Sequence, residues 1–177
     1  MEYNIFIVSL LILFLPLGSF IWAEVAGPLS PLKPATPVPT TVVIIPVLPD
    51  EKIGLIRQYR YPMGMEQIEL PAGKLDESEP HLVTAGRELE EEIGYRANRL
   101  TFLANIHPAI GFANENMWLY LAEDLEKTEP ILDNDEFIEL IPTKLVDAVE
   151  MVWCGDITDV KTIIGLLWAQ RLLIKNR

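Results

Sequence analysis

Apolar and polar positions divide the chain into three textures. Tyr3 to Ala23 carries no charged side chain. Then "GPLSPLKPATPVPTT" places five prolines between Pro28 and Pro39. From Thr41 onward the pattern is that of a folded domain. The β-branched run "TVVIIPVL" predicts a buried strand, and "KIGLIRQYR" predicts a second, with Asp50 in the turn between them. "EQIELPAG" predicts one further strand running into Gly73. From Pro80 to Ile93 the period becomes helical: Leu82, Ala85, Leu89 and Ile93 form an apolar stripe. Ser78 is the expected N-cap, Pro80 belongs to the first turn, and Gly94 supplies a left-handed stop. "LTFLANI", "MWLYLAEDL" and "EFIELIPT" read as strands, "KLVDAVEMV" as a short helix and "DVKTIIGLLWAQRLLIKN" as a longer one. Strands with interspersed helices give an α+β class.

Residues 1–26 form a separate hydrophobic segment, with three readings. Its length approaches the roughly 20 residues that cross a bilayer. A signal peptide is the second reading, although Glu2 stands where a basic n-region belongs. An upstream start codon, with the segment never made, is the third. If the segment spans, Lys33 on its C-terminal side favours a cytoplasmic catalytic domain; otherwise the chain is exported or simply cytoplasmic. Membrane association is expected only if residues 3–23 are retained as an anchor. Residues 27–40 read as a semi-rigid linker, since proline favours extended backbone. The domain proper is placed at residues 41–177.

Composition narrows the chemistry. The chain of 177 residues carries a net charge of −12. That disfavours nucleic acid as a partner, because phosphate backbones demand basic patches. A single cysteine, Cys154, excludes an internal disulfide framework and is expected to be a small buried apolar residue. Two histidines leave little for zinc. Any metal must be held by carboxylate oxygen.

One stretch supplies it. "GRELEEEIGY" puts Glu88, Glu90, Glu91 and Glu92 into five positions. Like charges three and four residues apart share a helix face and cost roughly 0.2–0.5 kcal/mol per pair. Glu88 and Glu92 are i and i+4, with Glu91 beside them, while Leu89 and Ile93 point to the core. Hard divalent cations want such oxygen ligands and are shared with substrate phosphates. Arg87 and Glu91, also i and i+4, are placed to form an ion pair. A solvated acidic helix face is the competing reading of the four glutamates alone.

The longer spacing decides between them. Gly73, five residues, Glu79, seven residues, Arg87-Glu88-Leu89, one residue, Glu91-Glu92, one residue, Gly94-Tyr95 resembles the Nudix box at nine positions over 23 residues. The resemblance implies a Nudix hydrolase with a mixed β-sheet sandwiched between α-helices. It implies that Glu88 and Glu92, with the carbonyl of Ala72, bind Mg²⁺ or Mn²⁺, and that Glu91 binds a further ion or positions water. Arg87 would orient the cluster and Glu79 support the loop before the helix. Outside the box, "IRQYRYP", "IELPAGKLD", "GFANE" and "GDITDVKTIIGLL" resemble bacterial ADP-ribose pyrophosphatases. That implies hydrolysis of ADP-ribose to AMP and ribose 5-phosphate, with GDP-mannose or another sugar nucleotide as the alternative. Arg60 becomes a candidate phosphate contact, Glu69 a contact near the pocket and Glu115 a candidate for substrate, metal or base work. Asp133, Asp135 and Glu136 in "DNDEF" are candidates for the general base.

Two departures stand out. Ile110, sixteen residues past Gly94, occupies a position where ADP-ribose enzymes typically carry proline, and Pro108 lies two residues earlier. The segment before Thr40 does not resemble the N-terminal sheet that helps such relatives form a homodimer and part of their adenosine pocket. The resemblance implies a homodimer as one state, but this chain does not show the segment that supports it in relatives. A non-catalytic Nudix-fold module and a membrane-tethered accessory protein are the readings from other functional classes.

Overall fold

The computed structural model describes residues 40–131 and 137–175. The hydrophobic segment 1–26, nearly all of the linker and the base candidates Asp133, Asp135 and Glu136 lie outside them. Among the described residues no helix is long and apolar enough to cross a membrane.

Seven strands and three helices follow the order expected from the sequence. They are β1 (Thr41–Pro46), β2 (Lys52–Arg60), β3 (Met65–Glu69), β4 (Ala72–Lys74), α1 (His81–Ile93), β5 (Tyr95–Ile106), β6 (Met117–Lys127), β7 (Ile138–Lys144), α2 (Leu145–Trp153) and α3 (Val160–Lys175). A mixed sheet runs β4-β1-β6-β5, with β1 parallel to β6, and an antiparallel sheet runs β3-β2-β7.

Strand β1 explains the layering. Successive side chains of a strand leave on opposite faces, and here both faces are apolar. Val42 and Ile44 join Tyr120 and Ala122 of β6 and Ala85, Leu89 and Ile93 of α1. Val43 and Ile45 join Leu119 and Leu121, Leu166 of α3 and Val149 of α2. The mixed sheet is thus sandwiched between helices, and α1 docks on it through its apolar stripe.

Four local expectations need correction. "EQIELPAG" is two strands, not one: β3 pairs in the antiparallel sheet and β4 in the mixed sheet. The break falls at Leu70-Pro71, where proline has no N–H to continue a ladder. There the Leu70 N–H donates to the Thr162 hydroxyl at 2.8 Å, and the Pro71 carbonyl accepts from Ile44. Ser78 is not the N-cap. It sits at φ 66° outside the helix, which starts after Pro80 with no side-chain cap. Leu82 is not in the stripe but half exposed, because His81 holds the first turn by stacking on Trp118 at 4.0 Å. Cys154, expected in the core, is exposed at the end of α2, where its thiol donates to Asp156 at 3.3 Å.

Gly94 ends α1 as expected, at φ 66°. It also meets the chain after β6: a Cβ there would fall 2.9 Å from the Pro130 nitrogen and 3.1 Å from the Thr128 carbonyl oxygen. Left-handed strain and backbone collisions add. Gly94→Ala is expected to cost about 2 kcal/mol or more, lowering the melting temperature by roughly 4–8 °C. An unchanged melt would show that neither contact constrains the fold.

Candidate active site

The site grows from the meeting of α1 with β4. Glu92, the penultimate residue of α1, is buried and accepts the Ala72 N–H at 3.1 Å. Glu88, one turn earlier, reaches the next residue of the strand. A Cβ on Gly73 would lie 1.7 Å from the Glu88 carboxyl carbon. Only glycine leaves that carboxylate its place. Two helix glutamates therefore converge on consecutive residues of one short strand.

Arg87 gathers Glu79, Glu88 and Glu91, while Glu90 pairs with Arg96 at 2.7 Å. The Arg87 Nε and Nη2 donate to the two oxygens of Glu79 at 3.2 and 3.0 Å. Its Nη1 donates to Glu88 at 2.9 Å and to Glu91 at 2.8 Å, forming the pair that the i, i+4 spacing suggests. Nη2 also reaches the Lys74 carbonyl at 3.3 Å, tying the helix to the end of β4. The hydrogen bond to Glu79 chiefly raises the Arg87 pKa against the opposing effect of burial, with Glu91 adding to it. The guanidinium is charged at every working pH.

The donor set of Glu88, Glu91, Glu92 and the Ala72 backbone is all oxygen, which suits a hard divalent cation. Among the described residues no three His, Cys, Asp or Glu side chains already stand together as a metal-holding group. Arg87 instead balances the carboxylates from within. Glu115 arrives at the same end of the mixed sheet. It accepts the Thr41 hydroxyl at 3.4 Å, and Thr41 pairs with Lys74 of β4.

Arg60 and Glu69 belong to a neighbouring network on the antiparallel sheet. Arg60 donates to both Glu69 oxygens, at 2.6 and 2.7 Å, so it is not a solvated strand arginine. Lys161, absent from the sequence-derived site, also pairs with the buried Glu69 and donates to Asp159 at 2.9 Å. Burial pushes the Glu69 carboxyl up, but the Arg60 hydrogen bonds and the Lys161 charge outweigh it and hold the group below the ordinary range. Asp159 caps α3 through the Thr162 N–H at 3.0 Å. Nothing in the periodicity of α3 marks Lys161. Only the strand break at Pro71, which brings Glu69 to the helix start, would have pointed to it.

Glu79 takes two of the Arg87 hydrogen bonds. Arg87 first, and the Thr84 hydroxyl at 2.8 Å second, hold its pKa at about 2, below the usual 4.5. A depressed folded pKa stabilises above the unfolded value and is lost as pH falls through the folded one. Wild type is therefore expected to melt higher than Glu79→Gln at neutral pH. The gap should close between pH 4.5 and about 2, as followed by melts across a pH series. A gap constant down to pH 2 would refute the pairing.

Comparison with known proteins agrees with this geometry. Residues 37–157 match the family model described as the NUDIX domain. The chain is 40% identical over 134 residues to a methanol dehydrogenase activator of Bacillus methanolicus, covering 75% of this chain and 72% of that protein. It is 39% identical over 136 residues to an ADP-ribose pyrophosphatase of Bacillus subtilis (strain 168), with the same coverage. A solved ADP compounds hydrolase superposes with a TM-score of 0.72 at 26% identity, covering 79% of this chain and 76% of that one. With the box carboxylates gathered on β4 and the matching sandwich behind them, the chain belongs to the Nudix family of hydrolases.

Proposed function

We propose that this protein hydrolyses the diphosphate bond of ADP-ribose, giving AMP and ribose 5-phosphate, with Mg²⁺ as the cofactor and Mn²⁺ as a substitute. One observation carries the reading: Glu88 and Glu92 converge on Ala72 and Gly73 with the spacing of a family whose similar members include an ADP-ribose pyrophosphatase. Glu88, Glu92 and the Ala72 carbonyl would hold a first cation and Glu91 a further one. Bound there, the cation neutralises diphosphate oxygens and lowers the pKa of an attacking water.

The chain's own residues supply the rest. Arg87 fixes the directions of Glu88 and Glu91, and Glu79 fixes Arg87. Arg60 and Glu69 border the cavity on the far side of the Pro71 break. Glu115, or one of Asp133, Asp135 and Glu136, would take the proton from water. In phosphoryl chemistry such positioning and electrostatics carry most of the rate.

The test is incubation of the purified chain and Mg²⁺ with ADP-ribose, GDP-mannose, diadenosine polyphosphates and nucleoside triphosphates. AMP release from ADP-ribose is expected. Glu92→Gln should lower it roughly a hundredfold or more, at or above the cost of losing a metal ligand's partner. Preferred release from GDP-mannose would move the substrate but keep the chemistry. Inertness of folded protein on the whole panel would overturn the reading.

Gly73→Ala tests the carboxylate cradle itself. Its Cβ must displace Glu88. Activity is expected to fall by roughly 10²-fold or more, as for a misplaced reacting group, while the melt changes little, since Gly73 lies outside the apolar core. Retained activity would show that Glu88 is not placed by β4.

A further inference from the structure

Beyond the Pro71 break lies an open cavity of about 440 Å³, lined by Pro62, Met63, Gln67, Thr158 and Val160 and by the charged network of Arg60, Glu69, Lys161 and Asp159. Its size is that of a small-molecule site. It is also close to the carboxylates. Glu69 and Ala72 are three residues apart, so at most about 10 Å of chain separates the cavity wall from the residue that meets Glu92. Glu92 contributes to the field that raises the Arg60 pKa. A substrate whose diphosphate sits at the carboxylates can thus place one flanking group here.

The wall states which kind of group. Its two cations, Arg60 and Lys161, face two carboxylates, Glu69 and Asp159, in direct ion pairs. A second phosphate would find that charge already answered. Pro62, Met63 and Val160 offer apolar surface, and Met63 and Val160 are 62% and 44% exposed. Beside them lies a neutral polar pair: the Thr158 hydroxyl donates to the Gln67 amide oxygen at 3.3 Å. Apolar surface with a few placed neutral donors and acceptors suits a flat heteroaromatic ring.

We propose that this cavity seats the nucleobase of the substrate nucleotide, with Gln67 and Thr158 as its specificity-determining residues. The proposal rests on the hydrolase reading above. It places base recognition within the described domain, at the junction of β2, β3 and the start of α3.

The experiment compares wild type, Thr158→Val and Gln67→Leu on ADP-ribose, GDP-ribose and ADP-glucose. Thr158 is exposed, so its variant leaves the core intact; circular dichroism melts check both variants. The kcat/KM ratio of ADP-ribose to GDP-ribose is expected to shift roughly fivefold to tenfold, through KM, while the ratio of ADP-ribose to ADP-glucose stays within about twofold. A shift in the sugar ratio instead would make the cavity a sugar site and overturn the proposal. A parallel fall on all three substrates would overturn it too. Calorimetric titration of wild type and Thr158→Val with AMP and GMP reads the cavity without turnover. If the hydrolase reading fails, a base preference lost in the variant still supports the cavity assignment. Equal binding of both nucleotides, unchanged by the variant, removes it.

Discussion

The site depends on one guanidinium. Four glutamates in five positions of α1 repel, at roughly 0.2–0.5 kcal/mol for each pair sharing a face. Arg87 answers that repulsion from inside the cluster for Glu88 and Glu91, while Arg96 pairs with Glu90 and the Ala72 N–H meets Glu92. Arg87 contacts Glu79, Glu88, Glu91 and the Lys74 carbonyl at 2.8–3.3 Å. A lysine has three donors on one nitrogen and cannot face four partners in a plane; the arginine fork presents five. The acidic helix can therefore fold and dock before any cation arrives. What the cation adds is chemistry, because the geometry is already set by a permanent charge.

A second constraint joins this cluster to the rest of the molecule. The chain leaves one sheet at Glu69 and enters the other at Ala72, with buried Leu70 between them. A change of sheet strands backbone groups, and a buried unpaired N–H is costly. The first turn of α3 takes up that cost through Thr162, while Lys161 satisfies Glu69 from the same turn. The far end of the crossover presents its N–H to Glu92. Four residues thus connect a helix start, a cavity wall and a carboxylate cradle. Backbone hydrogen bonding at the crossover, together with the buried Leu70, sets where the two halves of the site lie.

Much of this was legible in the sequence. The two-faced burial of β1 follows from its unbroken β-branched run, and the α1 face from Ala85, Leu89 and Ile93. The glutamate cluster and its arginine follow from i, i+4 arithmetic. What was hidden depends on contacts far apart in sequence. "EQIELPAG" alternates well enough to pass for one strand, and only pairing with two different sheets reveals the break. Lys161 reads as a polar position of an amphipathic helix until Glu69 stands opposite it, 92 residues away. Ser78 failed as a cap because Glu79 is committed to Arg87 and Thr84, which sets how the chain enters the helix. Cys154 was misplaced because composition says nothing about a residue just past a helix end.

Charge settles how an acidic protein can receive an anionic substrate. With a net charge of −12, the chain repels a diphosphate at long range. Arg60, Arg87 and Lys161 do not reverse this, since each is engaged by carboxylates. On the proposed reading, binding energy for the diphosphate would come largely from ions held by Glu88, Glu91 and Glu92. Affinity for substrate and competence for hydrolysis would share one origin. An organic anion without a diphosphate gains nothing from such a site, however well its ring fits the neighbouring cavity. The proposed roles would thereby divide selectivity in space: the acidic helix would select the bond, and the charge-balanced wall beyond Pro71 what is attached to it.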